Sequence, residues 1–145
     1  MQKAKRSARE LALNILYQID GAGLPPDEAL RVALDRAVLD ETVKEYAELL
    51  VKGTLERIKE IDARLRGLSP DWPLERQAAV DRNILRLAAY EIEHLESVPN
   101  VVAINEAVEL AKKFSTAESG RFINGVLGAY LRRYAAIEAG DPENL

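Results

Sequence analysis

The amino-acid sequence predicts an all-α fold in two subdomains. Apolar residues recur at helical spacings of three and four along most of the 145-residue chain. No segment sustains the two-residue alternation of a half-buried strand, so we predict no sheet. A helix-breaking segment with one glycine and two prolines, residues 67–73, separates subdomain 1–66 from subdomain 74–139.

The first two predicted helices have clear ends. The first helix should stop at residues 21–23 (Gly-Ala-Gly), because glycine accepts a left-handed backbone. Pro25 and Pro26 open a second helix that should reach about Leu39, since proline fits a first helical turn. The apolar face of the first helix consists of Ala8, Leu11, Ala12, Ile15, Leu16 and Ile19.

A long third helix is predicted from Asp40, which can cap its start, to about Leu65. Gly53 lies inside this helix, where close packing against a neighbour or a bend would explain a glycine. In the break that follows, we expect Trp72 to fill the junction between the two subdomains, with ligand binding as the alternative.

The second subdomain is predicted to hold three more helices. The fourth helix, from about Leu74 to Glu96, is apolar around a wide arc and should be the centre of this half. The stripe of the fifth helix is Ile104, Ala107, Val108 and Ala111. The stripe of the sixth helix is Ile123, Val126, Leu127, Tyr130, Leu131 and Tyr134.

The charges are unevenly distributed. The net charge of −4 argues against a protein that coats nucleic acid with its whole surface. Residues 1–10 nevertheless hold four basic residues and one acidic residue, a local +3, which leaves −7 on the rest of the chain. Such a basic arm indicates a polyanion contact in one place, although an ordinary solubilising terminus is the alternative. Its basic residues are Lys3, Lys5, Arg6 and Arg9.

A second candidate for nucleic-acid contact is the sequence SGRFING at positions 119–125. RNA recognition needs stacking surfaces and edge-reading polar groups beside positive charge. Phe122 can stack on a base, Asn124 can donate and accept hydrogen bonds, and Arg121 can pair with phosphate. The alternative is that Phe122 belongs to the core and that Asn124 caps a helix.

No catalytic or metal-binding constellation is recognisable, so we predict neither an enzyme nor a cofactor. Cysteine is absent, and the single histidine, His94, is expected on an exposed helix surface. Glu91 shares a face with apolar residues, and we interpret it as a structural carboxylate that needs a partner. Without a long apolar segment or a secretory signal, we expect a cytoplasmic protein with no membrane contact.

Several short motifs occur in order along most of the chain. They are AR at 8–9, AL at 12–13, LYQ at 16–18, DW at 71–72 followed by Arg76, DRNILRLAAYE at 81–91, VP at 98–99, AINEAVELAKKF at 103–114 and RFINGVL at 121–127. Together they cover about residue 6 to residue 128 and resemble the NusB family of bacterial transcription antitermination factors. The combination of the last two motifs is highly specific.

This resemblance implies one domain over residues 1–145, built of two small helical bundles packed roughly perpendicular. It implies a factor that pairs with the ribosomal small-subunit protein NusE, binds boxA RNA of ribosomal RNA operons and joins the transcription elongation complex. Free NusB-like proteins can also pair as homodimers. Two alternatives stay open: an accessory domain of an RNA methyltransferase, which the chain length disfavours, and a helical protein-interaction module without RNA contact.

The resemblance also implies site residues. Asp81 on the fourth helix is expected to contact NusE. The N-terminal arm has a less dense arginine cluster than some family members, so we expect RNA affinity to depend on the partner. With Lys3 and Lys5 of the basic arm, the expected RNA-binding residues are Arg6, Arg9, Glu118, Ser119, Arg121, Phe122 and Asn124.

Overall fold

A computed structural model describes residues 2–135, with side chains from residue 5 onward. The described residues form α-helices joined by short connections, which confirms the predicted all-α fold. A 3-10 turn (Leu74–Arg76) precedes the fifth helix, and a π-helical turn (Leu131–Ala135) follows the last one. The helices are α1 (Gln2–Ala22), α2 (Pro26–Arg36), α3 (Glu41–Glu56), α4 (Ile58–Leu68), α5 (Ala79–His94), α6 (Asn100–Phe114) and α7 (Ala117–Tyr130).

The chain divides into two compact units, one ending at Glu56 and the other beginning at Arg57. In the first unit α1 packs mainly on α3, and α2 contacts both. In the second unit α6 packs on α7 and α5, while α4 packs on α5 and α7. The core of the second unit includes the fully buried Ile84, Leu85, Leu87, Ile123, Leu127 and Tyr130.

The prediction of one long helix from Asp40 to Leu65 is wrong. The helix is interrupted at Arg57, whose φ of −114° and ψ of 14° depart from helical values. The apolar pattern runs on, but α3 packs within the first unit and α4 within the second. The division between units therefore lies before α4, earlier in the chain than the predicted junction at 67–73.

Local chemistry predicts other helix ends well. Helix α1 ends at Ala22, and Gly23 follows with a φ of +70°, as predicted from glycine. Pro26 is the first residue of α2, also as predicted, although this helix ends at Arg36. The fourth predicted helix starts late, at Ala79, because Gln77 and Ala78 are extended.

Within the described ranges, no helix combines the length and the apolar character that crossing a bilayer requires.

Candidate nucleic-acid interface

A hydrogen-bond cluster around the buried Ser119 hydroxyl fixes the start of α7. Thr116 is the N-cap residue, and its hydroxyl accepts a hydrogen bond from the backbone N–H of Ser119 at 2.9 Å. The Ser119 hydroxyl donates to Asp81 Oδ2 on α5 at 2.8 Å and accepts from Thr116 at 3.0 Å and from Ser115 at 3.1 Å. These bonds anchor the first turn of α7 to α5.

Four of the five predicted RNA-binding residues on α7 are accessible, and the fifth, Ser119, is buried. Glu118, Arg121 and Asn124 are exposed, and Phe122 is half-buried. Glu118 lies three residues before Arg121 and four before Phe122, so these three share one side of the helix, and Asn124, three residues after Arg121, widens that side away from Phe122. Gly120 lies against α6, where an added Cβ would meet the Val108 side chain at 3.5 Å. We call the accessible positions of residues 118–125 the α7 surface; they are Glu118, Arg121, Phe122, Asn124 and Gly125.

The structure answers two questions that the sequence left open on this surface. Asn124 is not a helix cap, since α7 begins at Ala117 and Thr116 caps it. Phe122 lies at the edge of the fold, with its ring centroid 4.8 Å from that of Trp72 and the two planes tilted by 44°. Trp72 is itself 43% exposed, so its indole is not enclosed by the fold.

The basic arm on α1 is only partly accessible. The Arg6 side chain is exposed, and Lys5 is half-buried with its ammonium 5.4 Å from the centre of the Tyr46 ring. Arg9 is only 1% exposed and already takes part in a polar interaction. The side chain of Lys3 lies outside the described residues.

The burial of Arg9 sets it apart from the other expected RNA-binding residues of the basic arm. It shares a helical stripe with Ala12 and Leu16, which are core residues. A guanidinium held inside the fold has to be paired, so its positive charge is not presented to a polyanion. Within the described part of the arm, Arg6 and Lys5 therefore carry the accessible charge, and the RNA contact expected of Arg9 stays a prediction.

Asp81, the expected partner contact, is 4% exposed. Its Oδ2 accepts the Ser119 hydrogen bond, and its Oδ1 is buried without a hydrogen-bond donor among the described residues. A carboxylate placed in this way has little surface to offer a partner. The direct structural effect of Asp81 is to hold the start of α7.

Other charged groups of the second unit have structural contacts. Arg86 forms a two-bond ion pair with Asp62, at 2.8 Å for each bond. Glu91 is buried and has an interaction partner, which fits the structural interpretation. His94 is half-buried beside the Tyr90 ring rather than fully exposed as expected. The sequence reasoning overlooked Glu93, which accepts hydrogen bonds from Arg64 and from the Tyr130 hydroxyl.

The loop before α5 holds Trp72 beside the α7 surface. Gln77 Nε2 donates to the Trp72 carbonyl at 3.2 Å, and the Trp72 N–H donates to the Ser69 carbonyl at 3.1 Å. Glu75, in the same loop, pairs with Arg66 of α4. Its own backbone N–H and the Arg66 guanidinium lower the pKa of Glu75.

Comparison with known proteins supports the resemblance found in the sequence. The model of the NusB family matches residues 6–132. A transcription antitermination protein NusB from Symbiobacterium thermophilum is 49% identical, with 89% of this chain and 90% of the relative covered. The protein of the same name from Pelotomaculum thermopropionicum is 50% identical, with 86% and 87% covered.

Solved structures agree with these relatives. The NusB structure from T. maritima is 33% identical with a TM-score of 0.85, covering 94% of this chain and 96% of that one. A chain in a crystal structure of antitermination factors NusB and NusE in complex with dsRNA is 30% identical with a TM-score of 0.84, covering 92% and 100%. The relatives are named as transcription antitermination proteins, which supports the prediction of a non-enzymatic factor. By sequence and by fold, the chain belongs to the NusB family.

Proposed function

We propose that this antitermination factor binds unpaired boxA RNA of ribosomal RNA operons, together with NusE. The observation that carries the proposal is the α7 surface, where a cation, an aromatic ring and an amide are accessible within one turn of a helix whose start is capped. The likeness to a chain of the NusB–NusE complex with dsRNA supports RNA and NusE as ligands.

The groups on the α7 surface match the chemistry of single-stranded RNA. Arg121 can pair with a phosphate, and the Phe122 ring offers a face to an unstacked base. The Asn124 amide can donate and accept hydrogen bonds at a base edge, and the Glu118 carboxylate can accept from a base amino group or a 2′-hydroxyl. Phosphate contact gives affinity, and the other groups give discrimination.

The basic arm adds phosphate contacts in this proposal. Arg6 and Lys5 supply the described charge, and Lys3 extends the arm toward the N-terminus. Each phosphate contact on a single strand should contribute about −0.7 to the slope of log affinity against log salt. With three or four contacts in all, the salt dependence should be present but shallow.

The acidic charge outside the basic arm supports binding of a basic protein partner. The chain outside residues 1–10 carries −7, a charge that suits a basic ribosomal protein such as NusE. Asp81 would influence NusE binding through the position of α7 rather than by wide direct contact. We propose that the NusE-bound protein joins the elongation complex in the cytoplasm, and that the free protein can form a homodimer.

Fluorescence anisotropy tests this function. A labelled boxA-type RNA and a scrambled RNA of equal length are titrated with the protein, with and without NusE, at several salt concentrations. The proposal expects tighter binding of the boxA-type RNA, tighter still with NusE, and a shallow negative salt slope. Binding that is absent even with NusE, or that is insensitive to salt, would contradict it and favour a module that binds only proteins.

A further inference from the structure

Trp72 is an exposed aromatic side chain that is held in place by hydrogen bonds of its loop and by contact with Phe122. It is the single tryptophan of the chain, and 43% of it remains exposed although it contacts Phe122. A single exposed apolar side chain is common on protein surfaces and does not by itself indicate a function. This one is held beside the ring that we propose to stack on RNA.

The loop that carries Trp72 is fixed by buried polar contacts. The Gln77 amide, 4% exposed, binds the Trp72 carbonyl at 3.2 Å. The Arg82 guanidinium donates to the carbonyls of Leu74 and Gln77 at 3.3 and 3.1 Å. Leu74 is buried, and prolines at positions 70 and 73 restrict the backbone. The indole is therefore presented from an ordered backbone, so its use in binding costs little ordering entropy.

We propose that Trp72 is a second base-stacking residue, and that it forms with Phe122 a two-ring platform for unpaired RNA bases. The proposal rests on the RNA-binding function proposed above and adds a residue from a separate loop to the α7 surface. Aromatic faces accept any base, so the platform would strengthen binding of single strands without itself selecting a sequence.

Two cations lie in the segments that carry the platform. Arg121 directly precedes Phe122 on α7, and Arg76 follows Trp72 in the 3-10 turn, with both side chains exposed. Stacking rings combined with basic groups is the usual arrangement of single-strand binding surfaces, because the rings hold bases while the cations pair with the backbone. Duplex RNA, whose bases are already stacked, offers no free base face to such a platform.

The unmodified protein provides the first test, because emission of its one tryptophan reports on Trp72 alone. The indole is excited where tyrosine does not absorb, and a boxA-type RNA is added while anisotropy of a labelled sample records binding. A base stacked on the indole should quench its emission in proportion to the bound fraction. An emission that stays unchanged at saturating RNA overturns the proposal but leaves RNA binding itself intact.

Three variants separate stacking from simple packing. Trp72→Leu keeps an apolar contact with Phe122 but lacks a π face, and it should lose about 5- to 150-fold in RNA affinity. Trp72→Phe restores a ring and should recover most of that loss. Val101→Ala truncates an exposed apolar residue on α6 and should bind as the parent protein does.

The outcomes also distinguish this proposal from the function on which it rests. If the parent protein binds RNA and Trp72→Leu binds equally well, Trp72 is not a stacking residue and the RNA function stands. If the parent protein binds no RNA even with NusE, both proposals fail together. Thermal melting checks that each variant folds, and if Trp72→Leu does not fold, the emission titration of the parent protein decides.

Discussion

The Ser119 hydroxyl donates a hydrogen bond of 2.8 Å to Asp81 Oδ2, and this bond joins the first turn of α7 to α5 inside the second unit. Both residues are nearly buried, so neither group can exchange its partner for bulk water without local opening. The α7 surface therefore rests on a contact between side chains that come from different helices.

Ser119→Ala should destabilise the fold by about 1–3 kcal/mol, because it leaves Asp81 buried with both carboxylate oxygens short of donors. Chemical denaturation measures this loss. The double variant Asp81→Ala/Ser119→Ala should cost less than the sum of the two single variants, since the partners are coupled. Additive effects would show that the bond contributes nothing to stability.

Phe122→Ala should weaken RNA binding by about 1–3 kcal/mol while the fold survives, because the ring lies at the edge of the structure beside Trp72. Anisotropy gives the affinity and thermal melting gives the stability. A large drop in melting temperature with little specific loss of RNA binding would instead make Phe122 a core residue.

Arg9 and Arg6, which lie on the same helix, should respond in opposite ways. Arg9→Ala should destabilise the protein by about 2–5 kcal/mol, because it truncates a long side chain that is only 1% exposed and leaves a cavity. Arg6→Gln should leave stability nearly unchanged but weaken RNA binding and reduce the salt slope by about 0.7. An Arg9→Ala protein that is stable and defective only in RNA binding would restore Arg9 as an RNA contact.

Glu75 should titrate below the ordinary range of a glutamate. Because its pKa is lowered, the stability contributed by the ionised Glu75 is fully present above the unfolded pKa and is lost as pH falls through the folded pKa. Arg66→Gln should raise this pKa only in part, because the backbone N–H of Glu75 still stabilises the carboxylate. Carboxyl NMR titration measures the change, and an identical titration in both proteins would argue against the pair in solution.

Features set by neighbouring residues could be predicted from the sequence. Gly23 and Pro26 mark helix ends through their own backbone restrictions. The sequence also predicts the basic character of the N-terminal arm. It does not predict which of the basic side chains are exposed. Arg9 lies on the apolar stripe of α1, and this position could have indicated its burial. Counting it only as a basic residue misses that burial.

Features that depend on distant partners could not be predicted. The break at Arg57 depends on α3 and α4 packing in different units, whereas the apolar pattern continues through it. The contact of Trp72 with Phe122 joins a loop to a helix that lies much later in the chain. No local sequence pattern predicts this contact. The position of Asp81 under α7 likewise depends on its bond to Ser119.

The most direct test of where RNA binds is an NMR titration with a boxA-type RNA that follows the backbone amide chemical shifts. The account predicts the largest shifts at residues 118–125 and in the loop around Trp72, with further shifts around Arg6, while α2 stays unchanged. Shifts concentrated on α2, with residues 118–125 unaffected at saturating RNA, would contradict the account.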